Sequence, residues 1–184
     1  NGKEVAETGY FSLAYTGITS VFIPKTILCI YRSTFEGCKS LTEVRFEEGS
    51  RVHTFGLYVF YNCPSLKRID FPASVTSILT SSSFIFFQYV SLDCFSYAGT
   101  TNFASLSYFF NTVTTVYVSN SYPSSTFAGK TVTKGTQTCG VSKEHFEVPT
   151  RTLTLIRTKV AICSVVIVRI NVPFQQYMFL LIQS

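Results

Sequence analysis

The side chains with the most chemistry to offer in this 184-residue chain are six cysteines and two histidines. The cysteines stand at 29, 38, 63, 94, 139 and 163, and no two form a CxxC pair, so zinc-ribbon and thioredoxin readings fail together. Cys139 and His145 lie six residues apart and come nearest to a thiol–imidazole pair. A cysteine nucleophile needs an oriented base and donors facing the oxyanion that forms. The loop-like run around Cys139 carries no such oxyanion motif. His53, between Val52 and Phe55, has the setting of an ordinary surface or half-buried histidine. Glycine-rich phosphate loops, EF-hands and zinc signatures do not occur. The chain therefore does not read as an enzyme, and no catalytic residue, cofactor site or metal site is expected.

Two of the cysteines point instead to architecture. Cys38 in FEGCKSL (35–41) and Cys63 in FYNCPSL (60–66) occupy equivalent places 25 residues apart. Strand-like runs recur with them: ITSVFIP (18–24), LTEVRFE (41–47) and LKRIDFP (66–72), each apolar at its first, fourth and sixth positions. Weaker copies begin at Leu92 and Val113, so the runs start 23, 25, 26 and 21 residues apart. A second apolar pair follows each of the first three runs: Ile27 and Ile30, Val52 and Phe55, Val75 and Ile78. Self-similarity at such a period predicts a solenoid, in which each coil has too little apolar surface to fold alone and shares a core with its neighbours. The expected inner column is Phe35, Phe60 and Phe84. The third copy is irregular, because FIFFQYVSL (84–92) is two residues longer than FEGCKSL. If Phe86 is its aromatic, Tyr89 replaces the cysteine.

Eighteen Phe and eleven Tyr without Trp favour a β-rich class. The net charge of +5 divides unevenly: residues 1–150 hold eleven Lys or Arg against ten Asp or Glu, whereas 151–184 hold four cations and no acid. Cations scattered among acids do not make the basic face of a nucleic-acid reader, so no nucleic-acid partner is expected. The chain opens on Asn1 without the charged start and apolar run of a signal peptide, and is read as a piece of a longer protein.

The organisation expected is a partial N-terminal repeat at 1–17, a solenoid at 18–129, a Thr/Gly-rich linker or cap at 130–150, and an apolar basic tail at 151–184. Val116, Val118 and Phe127 are suited to cover the open end of the core. In the tail, the longest apolar or small stretch is the nine residues from Val160 to Val168, against the roughly 20 that a spanning helix needs. One or two strands, a sticky segment and sequence foreign to the frame remain alternatives there, and membrane anchoring stays open, as does the oligomeric state.

Together the consensus L-x-x-[VI]-x-[IF]-P, the two later apolar sites and F-x-x-C-x-S-L closely resemble the BspA-like leucine-rich repeat of surface proteins. The match is strong over 18–92 and weaker over 93–129. The resemblance implies parallel strands stacked into one sheet, an extracellular or cell-surface location, and a binding module of adhesin type for a protein or extracellular-matrix ligand. The alternative is a segment without a ligand of its own that extends a longer array. The family supplies no catalytic residues to carry over.

On strands stacked in this register the second, third and fifth positions of each run face outward. Phe22, Arg45, Arg68, Asp70 and Tyr117 are the expected partner-contact residues on that face. The competing reading makes Glu43 with Arg68, and Arg45 with Asp70, cross-strand charge pairs that only stabilise the sheet. Stacking could bring Cys38 and Cys63 within disulfide range. Parallel Cβ directions in a ladder, however, favour two buried thiols that act as small apolar filler.

Overall fold

The computed structural model of the chain describes residues 8–83 and 86–140, and the backbone of two strands at 164–170 and 177–182. In chain order the strands are β1 (Ile18–Ile23), β2 (Cys29–Ile30), β3 (Glu43–Phe46), β4 (Thr54–Phe55), β5 (Arg68–Phe71), β6 (Ser77–Ile78), β7 (Ser91–Tyr97), β8 (Thr112–Val118), β9 (Thr126–Phe127), β10 (Lys130–Thr131), β11 (Thr133–Lys134), β12 (Ser164–Ile170) and β13 (Tyr177–Ile182). The described residues contain no helix. They form a β-solenoid of parallel strands.

The long strands line one wall. β1 pairs in parallel with β3, β5 with β7, β7 with β8, and β8 with β11. On the return leg β2, β4 and β6 form a second parallel sheet, with Ile30 opposite Phe55 and Phe55 opposite Ile78. Period-two alternation places the fourth and sixth residues of each repeat run inside, and in the runs from Ile18, Leu66 and Leu92 the first residue is buried as well, ahead of the regular alternation. Ile18, Val21 and Ile23, Leu66, Ile69 and Phe71, and Leu92, Phe95 and Tyr97 are all buried. Pro24 and Pro72 stand just after their strands, where the missing N–H costs no ladder bond. Glu47 replaces that proline in the middle coil. It accepts the Lys25 backbone N–H at 2.8 Å and faces Lys25 Nζ at 3.2 Å, tying two coils together at the same corner.

The inner aromatic column follows a different register from the expected one after Phe60. Phe35 stacks on Phe60 at 5.6 Å, Phe60 on Phe87 at 5.7 Å, and Phe87 on Phe110 at 6.1 Å, each pair within 11° of parallel. Phe84 lies outside the described residues. The column member of the third copy is Phe87, not Phe86, and the cysteine position three residues later is taken by the buried Val90. Val90 N–H donates to Phe87 O just as Cys38 N–H donates to Phe35 O. Three residues of FIFFQYVSL thus precede the aromatic, and FQYVSL (87–92) is one residue shorter than FEGCKSL; Phe86 fills the core beside the column, edge-on to Phe60.

Cys38 and Cys63 are buried free thiols. Each donates to a carbonyl of the preceding coil, Cys38 to Leu13 O at 3.0 Å and Cys63 to Phe35 O at 3.1 Å. At the far end of the array Tyr122, Phe103 and Phe127 close the core, with Phe127 packed against Phe95 at 5.0 Å and Phe109 at 5.5 Å. Val116 and Val118 are buried with it. At the near end, the outer edge of β1 is occupied by β12, antiparallel, with Val21 opposite Val168 and Phe22 opposite Ile167. β13 pairs antiparallel with β12.

Phe60 touches rings of the coils on both sides, so truncating it opens a cavity that spans three coils. Phe60→Ala is expected to cost about 3–5 kcal/mol, read as a lowered denaturant midpoint. An unchanged midpoint would remove Phe60 from the core.

Candidate functional site

A continuous core leaves two outer surfaces to carry function: the outward side of the strands, and the turns that lead from the return leg into the next strand.

On the strands, the ladder register brings the fifth positions into a row. Phe22 stands opposite Arg45, and Asp70, Ser96 and Tyr117 follow one another across β5, β7 and β8. The third positions make a parallel row, with Ser20 opposite Glu43, and Arg68, Cys94 and Thr115 in succession. Phe22, Arg45, Asp70 and Tyr117 are half-buried and Arg68 is exposed. Glu43 is engaged within its own strand and not across to Arg68: Arg45 Nε lies 2.7 Å from Glu43 Oε1. That approach is an ion pair by distance, without an N–H aligned on the carboxylate.

Asp70 belongs to a different arrangement. The chain leaving β11 folds back over the outer face, where Cys139 forms a disulfide with Cys94 of β7, with Cα atoms 5.6 Å apart. The Cys139 backbone N–H donates to Asp70 Oδ1 at 2.7 Å, and the Ser96 hydroxyl donates to the same oxygen. Ser96, outward by register, is therefore buried. The strap covers the part of the face around β5 and β7. Closing a loop of 45 residues is worth about 4 kcal/mol in chain-entropy terms. The disulfide also ends the thiol–imidazole reading of Cys139; His145 lies outside the described residues.

Sequence reasoning did not find this bond. The signal available to it was Cys94 at an outward strand position, off the ladder that buries Cys38 and Cys63. A second contact was hidden by sequence distance: Cys29 Sγ lies 3.8 Å from His53 Nε2, because β2 and β4 pair Cys29 with Thr54. His53 is exposed and its Nδ1 meets Thr54 Oγ1 at 2.9 Å. A hydroxyl in the third place is not the carboxylate or amide that orients a catalytic imidazole. Among the described residues no group of three or more His, Cys, Asp or Glu could hold a metal.

The turns carry backbone strain in register. Phe11, Ser33, Tyr58 and Tyr108 form one column of left-handed residues, with φ of 53°, 60°, 59° and 58°. Four residues after the first three stand Tyr15, Gly37 and Asn62, joined in a second column by Tyr89, with φ of 57°, 70°, 57° and 58°. Coil-to-coil backbone bonds fix both columns, including Phe11 N–H to Arg32 O, Ser33 N–H to Leu57 O, Gly37 N–H to Tyr61 O and Asn62 N–H to Gln88 O. Glycine and asparagine adopt this conformation readily. A non-glycine residue held there costs roughly 1–3 kcal/mol. The Tyr15 ring lies over Gly37, where a Cβ would collide with it, and its hydroxyl donates to Glu36. That bond raises the Tyr15 phenol above its ordinary pKa.

Stacked coils of one parallel strand, a turn and a short return leg, with no helix, define a leucine-rich-repeat type of solenoid. The model of the BspA type leucine rich repeat region matches residues 6–132 in six copies, and the chain belongs to that family. No curated protein and no solved structure matches the chain at a significant level. The family is generally non-enzymatic, points to a protein-interaction role, and is typical of surface or extracellular proteins. Among the described residues no helix is long and apolar enough to cross a membrane.

Burial drives the Cys63 thiol far above its ordinary pKa and raises Cys38 in the same direction. Both are therefore expected to resist iodoacetamide in the native protein at mildly alkaline pH, and to react once it is unfolded. Cys94→Ser should lower stability by about 2–4 kcal/mol and free Cys139 for labelling. Equal labelling of Cys139 with and without reductant in the parent protein would show that the bond is absent.

Proposed function

We propose that the chain is a cell-surface binding module of adhesin type, holding a protein or extracellular-matrix ligand on the outward side of its strands. The observation that carries this reading is the side-by-side placement of Phe22 on β1 and Arg45 on β3, away from the strap, with Arg68 on β5 exposed at the strap's edge opposite Cys94. Aromatic and arginine side chains dominate the energetics of protein interfaces. Repeat proteins present such groups over an extended surface that one partner can span. Tyr117 continues the row on β8, next to β11. Asp70 now serves the strap through Cys139 and Ser96, so its part in the proposed face is to hold the edge of that surface in place. The Cys94–Cys139 disulfide supports an oxidising, extracellular setting, because such bonds are rare where thiols are kept reduced.

A second reading is favoured by the same charges. Glu43 is taken by Arg45 and Asp70 by the strap, which suits a ligandless segment whose coils extend a longer array. The two readings separate in one experiment. The purified chain is expected to bind host cells or immobilised matrix proteins in a saturable way, and Arg45→Ala with Arg68→Ala should weaken that binding by about tenfold while circular dichroism stays unchanged. Full binding by the folded double variant would remove this face from the proposal, and no binding by the parent chain would favour the structural segment.

A further inference from the structure

Five of the seven non-glycine residues in the two left-handed columns are Phe or Tyr; four of them are exposed, and the fifth, Tyr58, is half-buried under Arg32. Tyr15 is 68% exposed, Tyr89 57%, Phe11 51% and Tyr108 49%. Folding alone favours the opposite choice at every one of these places. Gly37 and Asn62 stand in the same columns and meet the backbone requirement without strain. Large aromatic rings held outside the core at a strained backbone position mark a surface shaped by something other than stability.

Two of these rings, Tyr58 and Tyr89, are joined through Tyr61 across successive coils. Tyr15 meets Glu36 of the next coil through its hydroxyl. Tyr61 stands edge-on to Tyr58 at 6.0 Å and to Tyr89 at 5.6 Å, and the Arg32 guanidinium lies over the Tyr58 ring at 4.9 Å. Burial raises the Tyr61 phenol, with Tyr89 and Glu36 adding to it, as a close-set strip requires. The inner column of the same coils is Phe, whereas the outer strip is mostly Tyr, which adds a polar edge to each ring.

We propose that this strip of turn tyrosines binds a linear, uncharged glycan chain lying along the solenoid axis. Its shape sets the first condition: a strip of turn corners suits an extended polymer better than the broad patch of about 800 Å² that a folded partner needs. Its backbone sets the second. The turn amides are already spent on the neighbouring coil, from Phe11 through Asn62, so an added peptide strand finds no ladder to join. Its charge sets the third, because Arg32 and Glu36 cancel and give neither an anionic nor a cationic polymer a field to follow. What remains is ring faces for the C–H faces of pyranoses, with phenol, carboxylate and guanidinium groups at their edges for the sugar hydroxyls. Successive coils recur about every 4.8 Å, close to the rise of one pyranose in an extended chain. This strip lies on the turns and does not depend on the strand face discussed above.

The chain lacks Trp, so its emission comes from tyrosine, and acrylamide reaches the exposed strip rings in preference to the buried Tyr97 and Tyr122. Cellotetraose, chitotetraose and mannotetraose, a heparin-derived oligosaccharide and a proline-rich peptide are titrated separately against the full chain, and protection of the emission from acrylamide quenching is measured. At least one neutral oligosaccharide is expected to protect in a saturable manner. Tyr58→Asn with Tyr89→Asn removes two rings but keeps residues that favour the left-handed backbone. This variant should fold with undiminished thermal stability and bind that sugar about tenfold more weakly. The proposal is overturned if no neutral oligosaccharide protects, if only the anionic sugar or the peptide does, or if the folded double variant binds like the parent.

Discussion

Everything in this molecule depends on a backbone constraint: the turn amides of one coil are satisfied by carbonyls of the next. Leu13 N–H to Thr34 O, Phe35 N–H to Val59 O and Phe87 N–H to Phe109 O are the same bond repeated along the array. A coil without a neighbour would expose these donors together with its share of the phenylalanine column, and would have no core of its own. Stacking satisfies both needs in one step. It also fixes which residues face in, since ladder register leaves no freedom to slide a coil by one residue without turning its apolar set outward.

That division of labour explains where chemistry is and is not available. Cysteines on the ladder, Cys38 and Cys63, are enclosed and hydrogen-bonded to carbonyls, so they serve packing. Cys94 faces outward and is joined to Cys139, so it serves to hold a strap. The same residue type thus has opposite roles according to its place in the coil. Phe and Tyr divide in the same way at the turns, with Phe87 stacked inside and Tyr89, two residues on, held in solvent by a left-handed backbone.

The repeat was legible in the sequence because its signal is redundant: two apolar ladders, an aromatic, a cysteine and a leucine recur together between Ile18 and Leu66. Reading failed where the redundancy lapsed. In FIFFQYVSL three phenylalanines compete for one column position, and only the folded geometry, Phe87 stacked between Phe60 and Phe110 and accepting from Val90 N–H, decides among them. The cysteine bond was invisible for another reason. Cys139 lies in a stretch without apolar period, 45 residues from its partner, and nothing local says that the chain turns back there. Turn tyrosines could be read as aromatic residues but not as exposed ones, because exposure follows from a positive φ that tyrosine does not advertise. Likewise, Arg45 could be placed on the outward face from its register, but its partner Glu43 on the same strand required side-chain geometry.

The coil-to-coil turn bonds are the central claim, and hydrogen exchange measures them most directly. The amides of Ser33, Phe35, Gly37, Asn62 and Phe87 should exchange as slowly as the strand amides of β3, β5 and β7, as parts of one cooperative unit. Turn amides that exchange at the rate of an unfolded chain, while the strands stay protected, would contradict the account.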